Sequence, residues 1–169
     1  MNVDKKLSHR NIKKVKVMKV LIVYETKYGN TQKCAETMGE VLKASGNDIT
    51  VSKVDAVEMN SISDYGAIVV GSPTYASSQA KSIKKFISSL AVEPGTKIVV
   101  FDTHSGDGVT TTGPMRKSME KMEKQIAKNP NLTKIMGGLK VAVNGIKGPL
   151  VEGELEKCKA FAKEISEKL

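Results

Sequence analysis

Tryptophan is absent from this chain of 169 residues, and the aromatic residues together make up 4% of it. So few rings leave little to interleave with basic side chains, which argues against single-stranded nucleic-acid binding by base stacking. Cysteine occurs twice, at Cys34 and Cys158. That is too few for a disulfide framework and lacks metal-ligand spacing, so no metal site is expected and a reducing cytoplasm is the default compartment. No apolar run approaches the ~20 residues needed to span a bilayer. The first residues carry lysines but no apolar signal-peptide core. Two phosphate-binding fingerprints are also missing: no glycine-rich loop ends in Gly-Lys-Ser/Thr, and there is no Gly-x-Gly-x-x-Gly.

Positive charge is plentiful. The formal net charge is +9, and it is unevenly placed. Residues 1–17 hold Lys5, Lys6, Arg10, Lys13, Lys14 and Lys16 against Asp4 alone. This stretch reads as a basic N-terminal extension, a candidate disordered segment, ahead of one domain over 18–169. A solvated leader before a functional start at Met18 is one reading. An arm that touches an acidic partner is the other. The remainder of the chain stays basic.

From Met18 onward, strand and helix patterns alternate. Strands are expected at 19–24, 49–54, 65–71, 97–101 and 140–144. Helices are expected at 32–44, 80–90, from Pro114 to the break at Asn129-Pro130-Asn131, and at 152–169. The first strand is apolar almost throughout, as in a strand covered on both faces. The second alternates (Ile49 and Val51 against Thr50 and Ser52), as an edge strand does. Pro114 suits a first helical turn, and Met115, Met119, Met122 and Ile126 form a stripe best read as core. Strands separated by helices imply right-handed crossovers. The expected fold is α/β: a five-stranded parallel doubly wound sheet, order 2-1-3-4-5, in a three-layer sandwich. Ligands of such sheets bind beyond the carboxyl ends of the strands, at the switch point.

The segment Tyr24-Glu25-Thr26-Lys27-Tyr28-Gly29-Asn30-Thr31 sits at that point. It joins a buried strand to a helix start, where free N–H groups and the helix dipole favour an anion. Hydroxyls replace the usual glycines, which suits one phosphate more than a pyrophosphate. Two more segments should converge on it: Ser72-Pro73-Thr74-Tyr75-Ala76 after the third strand, and Thr103-His104-Ser105-Gly106-Asp107 after the fourth.

With Thr26-Lys27-Tyr28-Gly29-Asn30-Thr31, Gly71-Ser72-Pro73-Thr74-Tyr75 and Ser105-Gly106-Asp107 in this order, the chain resembles the flavodoxin family, of the short-chain type. The resemblance implies FMN as cofactor and an electron-transfer protein cycling between oxidised, semiquinone and reduced flavin. It also implies a redox partner protein; with a basic chain, either that partner is acidic or docking relies little on charge steering. An FMN-dependent NAD(P)H:quinone-type oxidoreductase is the alternative, and a flavin-free binding domain is a third class. By resemblance, the amides of residues 27 to 31 hold the phosphate, with the Thr26, Asn30 and Thr31 side chains donating. Ser72, Pro73 and Thr74 line the ribityl chain, with Ala76 beside them. Tyr75 either stacks on the ring or caps a helix. Thr103, His104, Ser105, Gly106 and Asp107 edge the pyrimidine. His104 is either a proton donor or a loop histidine bonded to backbone, and Asp102 and Asp107 either act as acids or brace turns. Cys34 and Cys158 should approach each other as buried thiols, a redox disulfide being the other reading.

Overall fold

Apolar runs of four to five residues recur down the chain, and the sheet is built from them. The computed structural model describes residues 16–110 and 113–169. The expected basic extension therefore lies almost wholly outside the described residues, as do Thr111 and Thr112. Strand β1 (Lys19–Tyr24) leads into α1 (Asn30–Ala44), then β2 (Asp48–Lys53), two 3-10 turns and β3 (Ala67–Tyr75). Next come β4 (Ser78–Gln79), α2 (Lys81–Ser88), β5 (Thr96–Ser105), α3 (Ser118–Ile126), β6 (Leu132–Lys134), β7 (Leu139–Val143) and α4 (Glu154–Lys168).

The strands align as β2-β1-β3-β5, all parallel, and both β6 and β7 then pair with β5. The order is the expected one, with the fifth position shared by two short strands. Strand β6 lies against Thr96–Ile98 and β7 against Phe101–Ser105. The gap falls at Gly138, where a Cβ would come within 2.7 Å of the Val100 carbonyl and of Met119. The chain cannot keep a regular side-chain-bearing strand past α3 there. Strand β4 is a two-residue antiparallel addition to the end of β3.

Alternation along β1 sorts the core into two halves. Val20, Ile22 and Tyr24 face α1 and α4; Leu21 and Val23 face α2 and α3. Each fully buried aliphatic contributes about 1.5–3 kcal/mol. Close approach requires glycine at two positions, one between neighbouring strands and one between α1 and β2. A Cβ on Gly71 would stand 2.1 Å from the Phe101 ring, and one on Gly39 would stand 2.8 Å from Val51. Cys34 and Cys158 are both fully buried between α1 and α4. A hydrogen bond that the Cys34 S–H donates to Cys158, then burial, pushes the Cys34 thiol well up, and both cysteines are free. Among the described residues, no helix is long and apolar enough to cross a membrane, and no group of His, Cys, Asp and Glu could hold a metal.

Several expected boundaries move. Strands β3 and β5 each run four residues further than the apolar pattern, through Ser72–Tyr75 and Asp102–Ser105. The ladder pairs Ser72 with Asp102 and Pro73 with Thr103, so the strand pairing continues under polar side chains. Thr103 and His104 are thus buried strand residues, not loop. Helix α3 starts at Ser118, so Pro114 is outside it and Met115 is exposed, at 63%, rather than core. The cause is tertiary: the Asp102 carboxylate on β5 accepts the Met119 N–H at 3.0 Å and fixes the first turn there.

Candidate functional site

Beyond the carboxyl ends of β1, β3, β5 and β7 lies a cavity of about 130 Å³. The β1–α1 loop gives it Thr26, Lys27 and Tyr28, and the first turn of α1 gives Asn30 and Thr31; β3 gives Pro73, Thr74 and Tyr75; β5 gives Thr103, His104 and Ser105. Eleven of the residues singled out from sequence therefore meet in one place. Gly29, Ser72, Ala76, Gly106 and Asp107 do not line it.

The β1–α1 loop is held open at the helix start. Gly29 adopts φ 87° before the first turn of α1, with no side-chain cap on the helix, so first-turn amides face outward. Its own N–H is already given to Thr26 Oγ1 at 2.9 Å. Of the amides 27 to 31 expected to hold a phosphate, that of Gly29 instead closes the turn. Thr31 is buried, and its hydroxyl meets that of Thr103 at 2.7 Å, pinning the loop to β5. The Asn30 amide donates to the Lys147 carbonyl at 3.1 Å. The Lys27 ammonium lies 5.4 Å from the centre of the Tyr28 ring, which keeps it at the rim.

Ser72 has a different task from the one expected. It is fully buried; its hydroxyl accepts the Ala80 N–H at 2.9 Å and donates to the Pro73 carbonyl at 2.8 Å. It clamps α2 to the sheet and does not reach the cavity. Ala76 and Ser77 form the two-residue turn between β3 and β4, with φ of 45° and 64°. Such turns need positive φ at both positions and favour Asn-Gly. Alanine and serine here hold strained backbone immediately after Tyr75.

Tyr75 is 42% exposed at the cavity mouth. Burial first, then the Glu25 charge, raises its phenol above the usual value, so the ring stays neutral. Asp107 lies outside and braces its loop: one carboxylate oxygen accepts the N–H groups of Val109 (2.9 Å) and Thr110 (2.7 Å). The backbone bonds from Thr110 and Val109 lower it to about 2. Asp102 braces the first turn of α3 through the Met119 N–H. It is fully buried and bonds His104 Nδ1 at 3.0 Å. His104 is therefore bonded to a carboxylate, not to backbone.

Three further residues line the cavity: Val143 at the end of β7, and Gly145 and Ile146 from the turn after it. Ile146 is 80% exposed. An isolated aliphatic between Gly145 and Lys147 was a signal available in the sequence, since such turns are normally polar. The chemistry on offer is amide donors and hydroxyls at one end, and an aromatic and an aliphatic group at the open end. That set fits a phosphate ester carrying a flat ring system.

Comparison with known proteins agrees. Residues 21–143 match a family model described as a flavodoxin domain. A flavodoxin from Clostridium saccharobutylicum is 34% identical over 71 residues, 41% of this chain. The match spans 44% of that relative's length. The structure of a flavodoxin from the domain Archaea superposes with a TM-score of 0.74 at 21% identity, over 89% of this chain and 98% of that one. Oxidised flavodoxin 2 from Bacillus cereus gives 0.74 at 22% identity, over 89% and 99%. At these identities, the structural likeness is one of fold.

Proposed function

The chain belongs to the flavodoxin family of FMN-binding electron-transfer proteins, and we propose that it carries electrons to an acidic redox partner from FMN held in this cavity. The observation that carries the reading is the meeting of three sequence-distant segments around one pocket, pinned by the Thr31–Thr103 bond. The residues fit the group: the buried Thr74 hydroxyl and His104 Nε2 line the pocket with no partner among the described residues, as atoms kept for a polar ligand would be.

In this reading, free first-turn amides and the Thr26 hydroxyl bind the phosphate, with Lys27 lending charge from the rim. Asn30, tied to Lys147, holds the turn that carries Ile146 across the opening. Tyr75 and Ile146 offer apolar cover at the mouth and limit water there. Bound FMN supplies a centre that accepts electrons singly or in pairs.

The acidic partner is argued from the neighbouring surface. Lys27, Lys81 and Lys84 line a groove that shares Thr26, Lys27 and Tyr75 with the cavity. Lys84, Lys121, Lys124 and Lys128 line the next hollow. Glu25, the one acid in the groove, is occupied by Ser82 at 2.9 Å and Lys53 at 3.7 Å. An acidic docking face would be steered to this lysine surface. The unbridged thiols fit the cytoplasm as its compartment.

Titrating FMN fluorescence with the full chain tests the cofactor, with saturable one-to-one quenching expected and unquenched FMN overturning the reading. The partner is tested by reoxidising the reduced protein with ferricyanide, an anion, or with a cationic cobalt complex. Lys84→Glu with Lys124→Glu should slow the anion about 10-fold at low salt and not slow the cation. Equal effects on both would remove the acidic partner.

A further inference from the structure

On the wall of the cavity, His104 is 4% exposed, and its Nε2 has no hydrogen-bond partner among the described residues. Thr74, whose buried Oγ1 is also unpartnered, lies beside it on β3, one step past the Pro73–Thr103 pair. Both residues line the same pocket. Behind the imidazole stands Asp102, fully buried, with Oδ1 3.0 Å from Nδ1 and Oδ2 taken by the Met119 N–H. An ionised carboxylate only accepts hydrogen bonds, so it keeps a proton on Nδ1 and leaves Nε2 as the atom that gains or loses one. Among the described residues, the ion-pair partner of Asp102 is this imidazole.

The other ionisable groups of the surrounding elements are few. Arg116, ahead of α3, lies over Gly106, where a Cβ would be 3.2 Å from its guanidinium and 3.4 Å from the His104 ring. Glu120 of α3 is paired with Lys140 of β7 at 2.6 Å. Lys27, Tyr28 and Tyr75 line the other side of the pocket.

We propose that His104 is the proton-binding group of this pocket, coupling electron uptake to proton uptake at Nε2, with Asp102 as its positioning residue. The inference rests on the FMN reading above. His104 takes a proton from solvent, forming an N–H bond at Nε2, as one electron from the redox partner reaches the bound FMN. The added negative charge is balanced locally, and both electron and proton leave on reoxidation. Thr74 supplies a neighbouring hydroxyl that accepts from the charged ring or donates to the ligand.

The test is proton uptake per electron during anaerobic dithionite reduction of the FMN-loaded full chain, measured with a pH indicator between about pH 5 and 8, where an imidazole titrates. The wild type should take up protons that His104→Gln does not. Asp102→Asn should move the pH range of uptake. In ¹⁵N spectra of the wild type, the Nε2 signal of His104 should change on reduction while Nδ1 keeps its proton. Equal uptake by the wild type and His104→Gln overturns the inference and leaves FMN binding standing. Should that variant not fold, an Nε2 signal unchanged by reduction overturns it equally. Failure of the wild type to retain FMN overturns both readings.

Discussion

Strands β3 and β5 run side by side through the centre of the sheet, and both change character at the same level. Residues 67–70 of β3 and 98–101 of β5 are apolar and buried, with Phe101 lying over Gly71. From residues 72 and 102 onward the two strands carry Ser72, Thr74, Asp102, Thr103 and His104; their mutual ladder ends at Pro73 and Thr103, after which Thr74 pairs with β4 and His104 with β7. This upper half holds two unpartnered polar atoms and ends in a strained turn. The lower halves stabilise the fold, and the upper halves draw on that stability to keep groups in costly positions. Strand pairing continues into the upper half as far as Pro73 and Thr103, so much of the difference lies in side chains.

The largest effect should come from emptying the lower half. Phe101→Ala removes a fully buried ring and should cost about 3–5 kcal/mol in urea unfolding. Loss of less than about 1 kcal/mol would break the division of labour. Next comes Asp102→Ala, which strands His104 Nδ1 and the Met119 N–H. It should cost about 1–3 kcal/mol and fray the start of α3, as read by amide exchange in that turn. Ser77→Gly should reverse the sign: removing a left-handed serine should stabilise by about 1 kcal/mol, with the rise in Cm as readout. The smallest effect sits outside the contrast, at exposed Asp107. Its folded value is depressed to about 2 by backbone N–H bonds. Its loop support is therefore full above the ordinary carboxylate range and fades as pH falls through about 2. Carbon chemical shifts of Asp107 across an acid titration check this, and a midpoint near the ordinary value would refute it.

How much of this was legible in the sequence follows the same division. The apolar runs disclose the number, order and face of the main strands, because burial on both sides demands them. The upper halves of β3 and β5 look like loop, because Ser72-Pro73-Thr74 and Asp102-Thr103-His104 are polar and composition says nothing of a ladder formed with a partner strand. The three converging segments were readable from their hydroxyls and glycines. The role of Ser72 as a clamp on α2 was not, since it depends on the Ala80 N–H eight residues away. Nor was the start of α3 at Ser118 in place of Pro114, since its cap comes from another strand. Ile146 was missed because its turn joins the site only once β7 has docked beside β5.

Cys34 and Cys158, the only thiols of the chain, are side by side and closed to solvent beneath α1 and α4. A maleimide or other thiol reagent finds nothing to alkylate while that layer stays shut. The rate at which the native protein becomes labelled is then a clock for the parting of these two helices from the sheet. It needs no introduced probe and leaves the opposite face, with its lysines, untouched.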